Sequence, residues 1–248
     1  PAFDFDAELL EEAFRQGAKA LILCNPSNPC GKVFTYDELK IIADLAIKYD
    51  AYVITDEVYE HIVYAPNKHI YMASLPGMRE RTIVCNSLSK TYSITGWRLG
   101  YVIANPQVID RVKKVHDFLT VGAAAPLMEA AVTGLKFGDD YYEGLAAHYT
   151  HMKELFCGGL KNLGFTFTGP QGAYYVLMDV SEFGVKDDVK FCEWMTEHVG
   201  VAAVPGSSFF REDVHNLIRF HFAKKDETLN AALDNLATLR AKADGFKE

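Results

Sequence analysis

The sequence predicts an α/β chain in which a mainly parallel sheet, covered by helices, is followed by a smaller α+β domain. Three observations predict it. Apolar runs at residues 21–24 and 52–55 alternate with amphipathic helical stretches, the pattern of parallel strands joined by crossover helices. A long helical stretch at 139–163, closed by Gly164, reads as a bridge between domains. Beyond it, strand pairs around the turn Gly169-Pro170-Gln171-Gly172, with helices on one side, change the character of the chain. The expected organisation is therefore a sheet domain at 1–135, a connecting helix at 136–163 and a small domain at 164–248.

The elements follow in order. Residues 6–15 form an acidic amphipathic helix. The strand at 21–24 runs into Asn25-Pro26-Ser27-Asn28-Pro29-Cys30-Gly31. Two Asn-Pro pairs and a glycine so close together continue neither strand nor helix, so this is a shaped loop. Thr35 caps the next helix, and Glu38 completes a capping box. Its apolar face is Leu39, Ile42, Ala43, Ala46 and Ile47. Asp56-Glu57-Val58-Tyr59-Glu60 follows the strand at 52–55 directly, and a looser region extends to Gly77. Strands at 82–85 and 100–104 complete the set, with a polar, small-residue-rich loop between them. Asn105 caps a helix with Pro106 at its first position. The helix at 123–136 is apolar nearly all round, which predicts burial. In the last part, strands are expected at 165–168, 173–180, 201–204 and 217–223, and helices at 187–198 and 226–243.

With 49% hydrophobic and 23% charged residues in 248, the composition is that of a folded globular chain. A net charge of −8 gives no overall attraction for nucleic acid or an anionic membrane, so neither is expected as a partner. No apolar run approaches a membrane span. An anionic ligand has to be held by a few focused cations. Cys24, Cys30, Cys85, Cys157 and Cys192 form no C-x-x-C pair and are odd in number, which reads as buried free thiols in a reducing, cytoplasmic setting. The chain opens on Pro1 rather than Met, so a start upstream of it is expected.

Chemistry concentrates at the loop after residue 85. Lys90 leaves the end of a buried strand, where open α/β sheets bind ligands, and a partly desolvated amine there is available as a nucleophile. Arg98 stands eight residues on, with small residues between that let the chain fold closely around an anion. This suggests a Schiff-base lysine and a phosphate-binding arginine. Asp56 is either a strand-end turn aspartate or a carboxylate for a protonated heterocycle nitrogen. Asn28 and Tyr59 are open to ordinary readings, as a turn former and a core aromatic. Arg219 lies in the alternating run Leu217-Ile218-Arg219-Phe220-His221-Phe222, on one face with His221. A charge in a strand needs a partner or an edge position, and a bound carboxylate is a bidentate partner. His148 with His151, and Glu57 with His61, are metal pairs without an evident third ligand, so no metal site is expected.

Taken together, these loops resemble the class I/II aminotransferases, enzymes of fold type I that depend on pyridoxal 5′-phosphate (PLP). The matching segments are Asn25-Pro26-Ser27-Asn28-Pro29-Cys30-Gly31, Thr55-Asp56-Glu57-Val58-Tyr59, Ser87-Leu88-Ser89-Lys90-Thr91, Gly96-Trp97-Arg98-Leu99-Gly100-Tyr101 and Arg219, in the family's order and spacing. The resemblance implies that Lys90 carries PLP as a Schiff base and moves the substrate proton. It implies that Asp56 keeps the pyridine nitrogen protonated, that Asn28 and Tyr59 bond the ring 3′ oxygen, and that Ser87 and Arg98 bind the phosphate. Arg219, together with Asn28, would bind the substrate, Arg219 clamping its α-carboxylate. The implied reaction moves an amino group from an α-amino acid to a 2-oxo acid by a ping-pong route. The same residues serve a PLP-dependent lyase acting on a C–S or related bond, which stays open as an alternative.

The family has a sizeable portion before the strand at 21–24, with a glycine loop for the phosphate and an aromatic ring for the cofactor. The chain thus resembles the C-terminal portion of a family member, with a partial large domain. An uncovered sheet edge and uncovered apolar faces are expected. So is a homodimer, by resemblance. Acting only as an association module is the remaining alternative for these residues by themselves.

Overall fold

The computed structural model describes residues 3–246. The outer limits of the expected domains, Pro1 and Glu248, lie outside them. The chain divides into two compact units, one comprising 3–27 and 32–146, the other 28–31 and 147–246. Each is described by itself.

The first unit opens with α1 (Ala7–Arg15), whose N-cap Asp6 accepts the Glu8 and Leu9 N–H groups. Next come β1 (Ala20–Cys24), α2 (Tyr36–Lys48) and β2 (Tyr52–Asp56). The Thr35–Glu38 capping box forms as expected. An irregular crossover with one 3-10 turn, Met72–Ser74, leads to β3 (Thr82–Ser87), a single helical turn α3 (Leu88–Thr91) and β4 (Gly100–Ile103). The strands lie in the order β1-β2-β3-β4; the first two pairs are parallel and β4 returns antiparallel to β3. Asn105 accepts the Val108 N–H to cap α4 (Pro106–Leu119), and α5 (Ala125–Leu135) follows.

One sheet face builds the core, in which Leu23 and Val53 pack with Leu39, Ile42, Ala43 and Ala46 of α2 and with Met72, Leu75 and Met78 of the crossover. Ile47, expected on that face, is exposed. Helices cover one face of the sheet rather than both, and the other carries the uncovered apolar surface expected from the resemblance. Ile22 and Tyr52 are exposed, and α4 stands off Tyr52 and Ile83 across a cleft of about 580 Å³. The helix expected to be buried, α5, has only Ala131 inside, while Met128, Val132 and Leu135 are exposed. An apolar composition fixes which helix is able to be buried, not what lies opposite it.

The second unit takes over within α6 (Asp139–Asn162). It continues through β5 (Tyr175–Asp179), α7 (Asp188–His198), β6 (Val204–Pro205), β7 (Leu217–His221), α8 (Asp226–Leu236) and α9 (Leu239–Ala243). Its sheet is antiparallel in the order β5-β7-β6. Three expectations are corrected here. The strand expected at 165–168 is a single bridge, Phe167 to Met178, because only Thr168 N–H and Asp179 N–H complete ladder bonds. That at 201–204 shrinks to the two residues of β6. The closing helix breaks into α8 and α9 at Thr238, whose hydroxyl donates to the Asn235 carbonyl. Phe156, Leu160, Met178, Phe191 and Ile218 are at the centre of its core.

Candidate active site

In the first unit the strand ends carry the residues that the sequence singled out. Asp56 is the last residue of β2 rather than the first beyond it, in register with Cys24 and Cys85 on the neighbouring strands. In-register parallel neighbours present the same face, so these three side chains share the face opposite the α2 core. The Asp56 carboxylate is exposed and accepts the Val58 N–H at 3.3 Å. Its carbonyl accepts the Asn25 N–H at 3.0 Å, which ties the Asn-Pro loop to the end of β2. Glu57 turns inward, 1% exposed, with its N–H on the Cys85 carbonyl and its Oε2 3.1 Å from His69 Nε2. Tyr59 is buried, in a turn closed by the Ile62 N–H on its carbonyl.

β3 ends at Ser87, the N-cap of the turn that bears Lys90. Ser87 Oγ accepts the Ser89 N–H at 3.1 Å, lies 2.7 Å from Ser89 Oγ and donates to the Leu99 carbonyl at 3.0 Å. The Leu88 N–H donates to that carbonyl as well, at 3.1 Å. Ser87 and Arg98 therefore stand on adjacent backbone, with the Leu99 carbonyl between them. Gly100 allows this approach, because a Cβ there would fall 2.7 Å from the Asn86 carbonyl oxygen. Arg98 takes a left-handed φ of 57° and donates from Nη1 to the Thr95 carbonyl at 2.9 Å; its side chain is exposed. Lys90 is half-buried. Asn86, which sequence reasoning did not single out, braces the turn: its Oδ1 accepts the Ser87 N–H at 2.7 Å and its Nδ2 donates to Glu60 Oε1 at 2.6 Å.

In the second unit Arg219 sits on the central strand, between Leu177 of β5 and Val204 of β6. It has a partner rather than an edge. Nη1 donates to Asn28 Oδ1 at 2.6 Å, and the guanidinium carbon lies 4.3 Å from the Tyr175 ring centroid and 4.4 Å from that of Phe209. The loop carrying Asn28 is fastened by Gly31, whose carbonyl accepts the Gln171 and Gly172 N–H groups at 2.9 and 2.8 Å. Gly31 has φ +70°, and a Cβ on it would meet Pro170 Cβ at 2.8 Å, so only glycine seats the loop here.

The histidine pairs resolve differently from the sequence pattern. His61 lies 3.6 Å from Glu60, not beside Glu57, and His151 is 2.8 Å from Asp226. His69 was missed, twelve residues from Glu57 in an irregular stretch with no periodicity to reveal it. One ligand atom each from Glu57, Glu60 and His69 lie within 4.8 Å of one another. The five cysteines are free; Cys30, Cys157 and Cys192 are buried as expected, Cys24 and Cys85 only half-buried because they lie on the open face of the sheet, and burial pushes the Cys157 and Cys192 thiols up to about 12. Among the described residues, no helix is long and apolar enough to cross a membrane.

The donor chemistry of the first unit fits the cofactor implied by resemblance. It presents an amine one helical turn past the end of β3, a carboxylate at the end of the neighbouring strand β2, and a hydroxyl and an exposed guanidinium on the two backbone segments that meet at the Leu99 carbonyl. PLP offers an aldehyde, a ring nitrogen and a phosphate to such groups.

Comparisons with known proteins agree with this chemistry. The model of the family "Aminotransferase class I and II" matches residues 1–236. Kynurenine–oxoglutarate transaminase 3 of Rattus norvegicus is 38% identical over 258 residues, covering 96% of this chain and 57% of that protein. The solved N-succinyldiaminopimelate aminotransferase of Mycobacterium tuberculosis superposes with a TM-score of 0.91 at 34% identity, over 95% of this chain and 62% of that one. Escherichia coli YbdL, described as having a methionine aminotransferase function, gives 0.91 at 32% identity over 96% and 63%. The chain spans about half the length of the curated transaminase 3 relatives it matches, 54–57%. The mixed sheet with its antiparallel last strand is the fold of these PLP-dependent enzymes, and the chain belongs to the class I and II aminotransferase family.

Proposed function

We propose that the protein carrying this chain is an aminotransferase that uses PLP to move an amino group from an α-amino acid to a 2-oxo acid. The observation that carries the reading is the Lys90 turn, capped by Ser87 and joined through the Leu99 carbonyl to the backbone of Arg98. Bound, PLP supplies an aldehyde that condenses with amines and a ring that accepts the electron pair released at the substrate Cα.

The chain's own residues supply the rest. Lys90 Nζ would be the covalent anchor of the cofactor and the base that takes the proton from the substrate Cα. The Asp56 carboxylate would hold a proton on the ring nitrogen, where a cationic ring draws electrons best. Tyr59 and Asn28 would bond the ring oxygen. The Ser87 hydroxyl and the Arg98 guanidinium would hold the phosphate as charge-assisted donors. Arg219 would hold the substrate α-carboxylate, and the Tyr175 and Phe209 rings that its guanidinium stacks on restrain its plane.

In the same reading, 1–135 is the C-terminal part of the cofactor-binding domain, 136–163 the connecting helix and 164–248 the small domain. Coverage of the relatives supports a longer parent protein. Exposed Phe118, Leu119 and Val121 at the end of α4 support burial in a homodimer, and five free thiols support a cytoplasmic setting. The test is a donor panel on the whole protein with PLP, 2-oxoglutarate as acceptor, and kynurenine, methionine and N-succinyldiaminopimelate among the donors. Stoichiometric amino transfer with parallel double-reciprocal lines is expected. Release of ammonia without transfer would contradict it and favour the lyase.

A further inference from the structure

We propose that Asp188 is a positioning residue for Arg219, acting through the turn Gly206–Phe209. The proposal rests on the reading of Arg219 as the carboxylate clamp. Asp188 lies in the first turn of α7 with its side chain fully buried, at 0% exposure. A buried carboxylate persists only when its oxygens are bonded. Oδ2 accepts the Ser207 N–H at 2.7 Å, and Oδ1 meets His215 Nδ1 at 3.0 Å. His215 Nε2 is in turn 2.8 Å from Asp213. Capping does not account for Asp188, because Asp187 already fills that place by accepting the Lys190 N–H. One buried carboxylate thus joins a helix, the turn and the approach to β7.

The turn is what reaches the clamp. Two residues beyond Ser207, Phe209 lays its ring 4.4 Å from the Arg219 guanidinium carbon. At the turn's other end Gly206 sits against β7 so closely that a Cβ would fall 2.3 Å from the Leu217 carbonyl oxygen. Gly206 fixes one end and Asp188 holds the next residue, so the backbone that carries the Phe209 ring is held at two points. Releasing Ser207 frees that ring, and with it the plane of the guanidinium that a carboxylate must meet in bidentate fashion. No atom of the reaction needs to touch Asp188.

The experiment compares Asp188→Asn, His215→Ala and Arg219→Lys in the whole protein with PLP bound, at a temperature where circular dichroism shows each folded. Arg219→Lys tests the clamp by itself: if it leaves both KM values unchanged, the clamp reading fails and this proposal falls with it. With the clamp upheld, folded Asp188→Asn is expected to raise KM for the amino donor and the oxo acceptor alike by about tenfold, with kcat and PLP retention within about twofold. Unchanged KM values, or a loss of kcat or PLP without a rise in KM, would overturn it. If Asp188→Asn does not fold, His215→Ala carries the test, since that side chain is 38% exposed and leaves no buried void. A KM rise of about threefold supports the proposal, and unchanged KM overturns it.

Discussion

Arg219 and Asn28, 191 residues apart in the chain, are joined by a hydrogen bond of 2.6 Å from Nη1 to Oδ1. The bond is set by two independent closures: Gly31 fastens the Asn28 loop onto the turn at Pro170–Gly172, and β7 places Arg219 between two strands. Asn28→Ala removes a hydrogen bond to a charged group, and the expected result is a rise of about ten- to a hundredfold in KM for the amino donor, as such bonds are worth about 1.5–3 kcal/mol. Steady-state kinetics at saturating PLP check it.

Asp56→Asn keeps size and backbone but removes the carboxylate charge at the end of β2. Its carbonyl still accepts the Asn25 N–H, so the fold stays. The expected outcome is a fall in kcat of about a thousandfold with the protein still binding PLP, the scale of losing one preorganised electrostatic partner. Stopped-flow kinetics and cofactor absorbance read the two quantities separately.

Gly206→Ala sets a Cβ 2.3 Å from the Leu217 carbonyl oxygen, against backbone that has no rotamer to yield. Destabilisation of about 1–3 kcal/mol is expected, the range for overpacking. Urea unfolding of variant and parent measures it.

The pair His215–Asp188 gives stability a pH window. Hydrogen bonds to Asp188 and Asp213 hold His215 above the ordinary imidazole value. Its contribution is fully present below the unfolded value, about 6.5, and is lost as pH rises through the raised folded value. Burial pushes Asp188 up, but the bonds from Ser207 and His215 outweigh it and leave the carboxyl below its ordinary value. That contribution is present above the usual carboxylate range and is lost as pH falls through the depressed value. Melting temperature against pH is therefore expected to fall on both sides of the window, and His215→Gln to flatten the alkaline side.

What was legible in the sequence was local. The Thr35–Glu38 box and the Asn105 cap are written within four residues and formed as read. The strand ends at Asp56 and Ser87 were legible to within two residues, because the apolar runs stop there. What depends on distant partners was not. Asp188 reads as one more acidic residue at a helix start until Ser207 and His215 fold onto it. Glu57 was considered with the wrong histidine, because His69 arrives through an irregular crossover. The strand expected at 165–168 has suitable residues but only one bridge to pair with.

The central claim is that PLP is bound covalently through Lys90. Borohydride reduction of the PLP-loaded whole protein, followed by peptide mass spectrometry, tests it most directly. A phosphopyridoxyl group is expected on the peptide containing Lys90, with its loss in Lys90→Ala. A label on another lysine, or one that persists in Lys90→Ala, would contradict it.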